Sequence, residues 1–270
     1  MLTRLIDNQR LLAAVQAAVT ALLALAVTWV GRRRAIHLEK ETLIALGRAI
    51  VQVVAVGSVL LFLLNQATWS SLLALAAMIL TAGFMGASRI KELPGALPVT
   101  LTSVALGAGS VIALMILVGV IPWETSSLIP VGSMIVANVM TTVVQALERF
   151  HAEIESHVGE IETALALGAK PDAAITRYVQ AATEASLIPR INSLRSLGIV
   201  WIPGLMSGMV LSGEDPIFAA LYQFVILAMI YAAGGFGSIL SMLLMRRRVF
   251  SPAMQLLLRP GEPSPEPEAS

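Results

Sequence analysis

Apolar residues in this chain come in long unbroken runs, not in the two-residue alternation of strands or the narrow stripe of a soluble amphipathic helix. Seven runs stand out: Leu11–Val30, Leu43–Leu64, Trp69–Ala87, Leu97–Ile121, Ser127–Leu147, Leu197–Leu211 and Ile217–Met245. About 20 mostly apolar residues suffice to cross the roughly 30 Å of bilayer hydrocarbon as a helix. The pattern therefore predicts an all-α polytopic membrane protein with seven transmembrane helices. The sixth run is short and carries Pro203-Gly204 in its middle. The seventh is long enough to tilt.

Between the fifth and sixth runs the pattern changes. Leu147, Phe150, Ile154, Val158, Ile161 and Leu165 recur at three- and four-residue steps, one stripe along a helix. This predicts a fifth helix continuing unbroken from Ser127 to Leu167, about 60 Å at 1.5 Å per residue. Gly168 then suits a helix C-cap and Pro171-Asp172 a new start. A second stripe follows (Ile175, Tyr178, Val179, Ala182), with Pro189 as its expected end. The segment 148–196 reads as a cytoplasmic helical hairpin. It either packs only on itself or docks on a cytoplasmic partner. Docking is the favoured expectation, because two short stripes bury little alone.

Charge fixes an orientation. Of 18 Lys and Arg residues, 16 lie in the segments that follow the first, third, fifth and seventh runs, Arg48 just inside the second run included. The alternate loops, 65–68, 122–126 and 212–216, hold none. Basic residues favour cytoplasmic loops, so the N-terminus is expected outside and the C-terminus inside. Ala24-Leu25-Ala26 resembles a cleavage site, but a 20-residue run followed by Arg32-Arg33-Arg34 reads as a retained helix.

Composition agrees: 57% hydrophobic, 13% charged, net charge +1, against about 25% charged in soluble domains. There is no cysteine, which removes disulfides, thiolate metal sites and cysteine nucleophiles. The three lysines, Lys40, Lys91 and Lys170, never follow glycine, so no phosphate loop exists. No Asp, Glu, Lys or His falls in the core of a run, which weighs against an intramembrane protease or a proton-coupled pump. The chain is expected to bind no cofactor, to contact lipid, and to have no nucleic-acid partner.

Glu162-Thr163-Ala164-Leu165-Ala166-Leu167-Gly168 resembles the Glu-Ala-Ala-x-x-x-Gly loop of ATP-binding cassette (ABC) permeases, with Thr163 at the second position. Further motifs follow in order: Gly47-Arg48-Ala49-Ile50-Val51-Gln52, Ile129-Pro130-Val131-Gly132-Ser133-Met134 through Asn138, Ala146-Leu147-Glu148-Arg149, Ile188-Pro189-Arg190-Ile191-Asn192-Ser193-Leu194, Ile202-Pro203-Gly204-Leu205-Met206-Ser207-Gly208, and Asp215-Pro216 leading to Tyr222-Gln223. Together, from about Arg48 to about Met245, they resemble the FetB-type permeases, which include the plant aluminium-tolerance subunits. Val131, Ala137 and Met209 depart from the usual residues.

The resemblance implies a homodimeric permease subunit of the bacterial inner membrane. A separate ABC-type ATPase would hold the ATP and Mg. Iron export is what bacterial members imply; plant members imply aluminium tolerance, with a nucleotide sugar suggested as cargo. The metal-binding residues stay unknown. The expected ATPase-coupling residues are Glu162, Ala164, Gly168, Lys170 and Pro171. The expected translocation path holds Arg48, Gln52, Met134, Asn138, Pro203, Gly204 and Met206.

These residues carry plainer readings too. Intramembrane amides are ordinary interhelical hydrogen-bonding groups, methionine is mostly packing, and Pro203-Gly204 can be a simple kink. Steps such as Ala82/Gly86, Gly83/Ala87 and Gly204/Gly208 indicate close helix contacts. Residues 1–250 read as the permease domain and 251–270 as a cytoplasmic tail, disordered from 260. Two other functions remain open: a stand-alone secondary transporter or channel, and a membrane scaffold that moves nothing.

Overall fold

A computed structural model describes residues 9–33, 39–64 and 68–258. Every element longer than an isolated bridge among them is helical. Six of the helices are long and apolar enough to cross a membrane. The tail expected to be disordered from 260 lies outside the described residues.

The chain divides at residue 66 into two units. The first holds α1 (Gln9–Arg33) and α2 (Glu39–Leu64), packed on each other. Their apolar side chains, Leu22, Val27, Val51 and Val53 among them, are largely exposed within the unit.

The second unit holds α3 (Trp69–Arg89), α4 (Ala96–Leu117), α5 (Thr125–Ser156), α6 (Val158–Ala166), α7 (Pro171–Ser196), α8 (Gly204–Leu211) and α9 (Pro216–Met245). Its centre is α5, which packs against α3, α4, α7 and α9. Val139, Val143, Leu147, Phe150 and Ile154 follow one another down a single face of α5 and are wholly buried. Where α4 and α9 cross, backbones nearly touch. A Cβ on Gly107 would lie 2.9 Å from Gly237 Cα, and one on Gly237 would lie 2.8 Å from Val139 Cγ1. A Cβ on Gly83 would come 2.9 Å from Leu101 Cα, so one of the small-residue steps joins α3 to α4 inside this chain. Gly204 and Gly208 face open space within it.

The fold corrects three expectations. First, the fifth helix is not continuous to Leu167: α5 stops at Ser156. His157 Nδ1 sits 2.8 Å from the Glu153 carbonyl oxygen, the acceptor its own N–H would need to continue the helix. That N–H bonds to Ile154 O instead, at 3.1 Å, and α6 starts at Val158.

Second, Leu197–Leu211 is not one helix. Gly198 takes φ +77° and donates to Trp201 O at 3.0 Å, closing a turn. Pro203 then biases the preceding residue away from the helical region and caps an α8 of eight residues. About 12 Å of helix cannot span a bilayer.

Third, Pro189 does not end the second stripe. It lies inside α7, which runs on to Ser196. Missing one N–H costs this helix little of its path, because its C-terminal half is held by α5 and α9. Residues 251–258, the start of the expected tail, fold back. Phe250 bridges Leu256, and Leu256 and Leu258 are buried with Val249.

The apolar stripes of the 148–196 segment find their partners within the chain. Ile154, Ile161, Ile175, Tyr178 and Ala182 are all buried in the common core. The premise that an unpartnered stripe required docking therefore falls away.

Candidate functional site

Two features of the second unit gather the expected residues. The first is a cavity of about 280 Å³ among α5, α7, α8 and α9. Met134 and Asn138 line it from α5, Arg190, Ser193 and Leu194 from α7, and Gln223, Leu227 and Ile230 from α9. Trp201, Pro203, Gly204 and Leu205 close it from the broken segment and α8. Four of the seven expected path residues thus meet here: Met134, Asn138, Pro203 and Gly204. Met206 lies on α8 outside the lining, and Arg48 and Gln52 lie on α2, in the first unit.

The break supplies this cavity. With residues 197–203 non-helical, buried Pro203 sits between the end of α7 and the start of α8. α7 reaches the same level because its last three turns lie along α5 and α9. Ser186 Oγ and Ser238 Oγ share a hydrogen bond of 2.8 Å, and Arg190 Nε donates to Thr142 Oγ1 at 3.2 Å. Thr142 Oγ1 in turn donates to Asn138 O at 2.8 Å. Asn138 Nδ2 donates to Met134 O at 2.8 Å, so its amide nitrogen is engaged within its own helix. Gln223 is 2% exposed and its amide oxygen has no hydrogen-bond partner among the described residues.

Arg190, Ser193 and Gln223 were not among the expected path residues. Their signals were present: Ser186, Arg190 and Ser193 fall at i, i+4 and i+7, a polar stripe interleaved with Leu187, Ile191 and Leu194. Counting Arg190 as a loop charge hid it.

The second feature is the turn between α6 and α7, where all five expected coupling residues lie. Glu162 and Ala164 are on α6, Gly168 follows it, Lys170 precedes α7 and Pro171 is its first residue. Gly168 has φ +87°. Its N–H bonds to Leu165 O at 2.9 Å and that of Ala169 to Ala164 O at 3.0 Å, the paired bonds of a Schellman end. Only glycine takes that φ without strain.

Gly168, Lys170, Pro171 and Asp172 form one side of an open groove of about 670 Å³, and Arg246, Arg247 and Phe250 the other. Arg246 Nε lies 3.7 Å from Asp172 Oδ1. One turn further on, Arg177 donates to Tyr178 Oη and to Glu160. Tyr178 foremost, then Glu160, raise its pKa above the ordinary arginine value. Leu167, at the tip, is 84% exposed.

Among the described residues no three His, Cys, Asp or Glu side chains form a group that could hold a metal ion.

Comparison with known proteins places this architecture. No solved structure matches the chain. The rice (Oryza sativa subsp. japonica) UPF0014 membrane protein STAR2 is 34% identical over 241 residues, covering 88% of this chain and 84% of that protein. The Arabidopsis thaliana protein ALUMINUM SENSITIVE 3 is 32% identical, covering 82% and 81%. The probable iron export permease protein FetB of Escherichia coli K12 is 29% identical over 255 residues, covering 94% and 96%. Residues 14–250 match the uncharacterised protein family UPF0014, and this multi-pass membrane protein belongs to that family.

Proposed function

We propose that the chain is the transmembrane permease subunit of an ABC transporter that exports metal ions, iron foremost. It would work as a homodimer in the bacterial inner membrane, with ATP and Mg held by a separate ATPase subunit. The observation that carries this reading is the α6–α7 turn: a Glu-x-Ala-x-x-x-Gly segment closed by a left-handed glycine and followed at once by a new helix. The likeness to a probable iron export permease supports the cargo.

Seven crossings, N-terminus outside, remain the reading of the basic-residue distribution, with Arg190 and Arg195 taken out of the cytoplasmic set. The sixth crossing is then a broken one, made of the C-terminal half of α7, residues 197–203 and α8. Non-helical backbone at membrane depth is tolerated where it lines a cavity, and residues 201–204 line one here.

In the mechanism, closure of the ATPase dimer pushes the turn around Gly168. The fifth helix, broken at His157, is not the rod that transmits it. α7 is continuous from Pro171 at the groove to Arg190 and Ser193 at the cavity, so the push reaches the cavity wall along one helix.

The test is co-expression with a candidate ATPase, detergent co-purification, and metal-stimulated ATP hydrolysis in liposomes. A stable complex with iron-stimulated hydrolysis is expected. Iron efflux driven by a gradient with no ATPase present would overturn the reading.

A further inference from the structure

We propose that the α5–α7–α8–α9 cavity is a binding site for a small oxyanion, a carboxylate or phosphate group, held by Arg190 and Gln223. This deepens the transport reading above and rests on it in one respect: a metal cargo would pass this cavity only as an anionic chelate, never as the bare cation.

Among the described residues Arg190 is the one ionisable side chain lining the cavity. The rest of the wall is mostly apolar, with amides and one serine hydroxyl. A guanidinium placed against such a wall forfeits much of its hydration and needs compensation. Here its Nε–H reaches Thr142 Oγ1, and no carboxylate lies within ion-pair distance of it among the described residues. The remaining N–H groups form the planar fork that matches two oxygens of a carboxylate or phosphate.

Gln223 is a second polar group of the cavity with an unmet hydrogen-bonding need. It is nine-tenths and more buried, lines the same cavity from another helix, and its amide oxygen is without a hydrogen-bond partner among the described residues. Such a group is costly unless something fills the space beside it. The amide can present N–H to an oxyanion once its two ends are exchanged.

The same lining disfavours a naked divalent ion. It offers neutral amide, hydroxyl and thioether atoms and a positive charge. Fe(II) prefers harder oxygen and nitrogen ligands, and a guanidinium repels any cation brought beside it. About 280 Å³ is just under the usual range of small-molecule sites, roughly 300–1,000 Å³, which favours a compact anion.

The experiment uses the full chain purified in detergent, without the ATPase. Its thermal unfolding and isothermal titration are followed with citrate, inorganic phosphate, ferric citrate and ferrous ion alone, at constant ionic strength. Saturable stabilisation by citrate, phosphate or both is expected, and which of the two binds tells carboxylate from phosphate. Arg190→Gln should weaken it at least tenfold, Arg190→Lys should restore part of it, and Gln223→Leu should weaken it several-fold. Ferric citrate should compete with the free anion. Anion binding unchanged in Arg190→Gln, no anion binding in a well-folded Arg190→Lys and wild-type pair, or saturable binding of ferrous ion alone at this cavity would each overturn the proposal. Arg190-dependent anion binding in a chain for which no ATPase partner is found would uphold the site while sinking the transporter reading.

Discussion

The cavity and the groove lie at opposite ends of α7, and both contain arginine. They differ in how that charge is answered. At the groove Arg246 faces Asp172 across 3.7 Å, and nearby the exposed Arg177 is met by Glu160 and by buried Tyr178. At the cavity Arg190 has one threonine hydroxyl and an apolar wall. The groove sets a carboxylate, Asp172, among its cations Lys170, Arg246 and Arg247, although Arg246 Nε makes no hydrogen bond among the described residues. The cavity leaves its charge and an amide uncompensated, the arrangement expected of a site whose missing partner arrives from outside.

The sharpest way to break this comparison is Arg190→Met. It should abolish ATP-driven transport in proteoliposomes, a loss of at least tenfold. Thermal stability in detergent should stay level or rise, because replacing a half-buried charge that lacks an ion-pair partner by an apolar side chain is often neutral or stabilising. A marked drop in melting temperature would show that Arg190 is structural and that the two regions do not differ as described.

Gly168→Val should act at the other end. The left-handed φ costs a branched residue about 1–2 kcal/mol, yet no atom crowds the position, so the helices should still fold. Coupled ATPase stimulation should be lost while anion binding by the purified chain is retained. Normal stimulation in this variant would remove the turn from the mechanism.

Asp172→Asn should do least. Its carboxylate is largely exposed, and an exposed pair of this kind contributes about 0–1 kcal/mol. Unfolding midpoints should shift by no more than a degree or two. A larger shift would mean that the groove, too, depends on a charge that is not easily replaced.

How much of this was legible in the sequence depends on whether the cause is local. Gly168, Lys170 and Pro171 form their turn through propensities readable from neighbours alone, and the structure has that turn where the residues say. The apolar runs produced six long helices for the same reason. The end of α5 was not legible, because it turns on one imidazole taking a carbonyl that the next helical bond required. The continuation of α7 through Pro189 was not legible either. Proline argues locally for a stop, and only packing on α5 and α9 overrules it. Arg190 was hidden by that same error: a charge assigned to a loop is not examined as a cavity wall. Met134, Asn138, Pro203 and Gly204 were singled out within apolar runs, and the structure gathers these four around one cavity.

The near-contact of Gly107 and Gly237 has a mechanical consequence. With backbones this close, α4 and α9 cannot slide or roll past each other without collision, and Val139 of α5 is wedged against the same point. Three of the helices around the core are thereby riveted at one place. The α5 and α9 sides of the cavity belong to that riveted frame. The α7–α8 side does not: no such glycine contact pins it, and it contains the non-helical hinge at 197–203. A crosslink pinning α7 to α9 is therefore expected to hinder transport more than one between α4 and α9, which would only tie together what is already fixed.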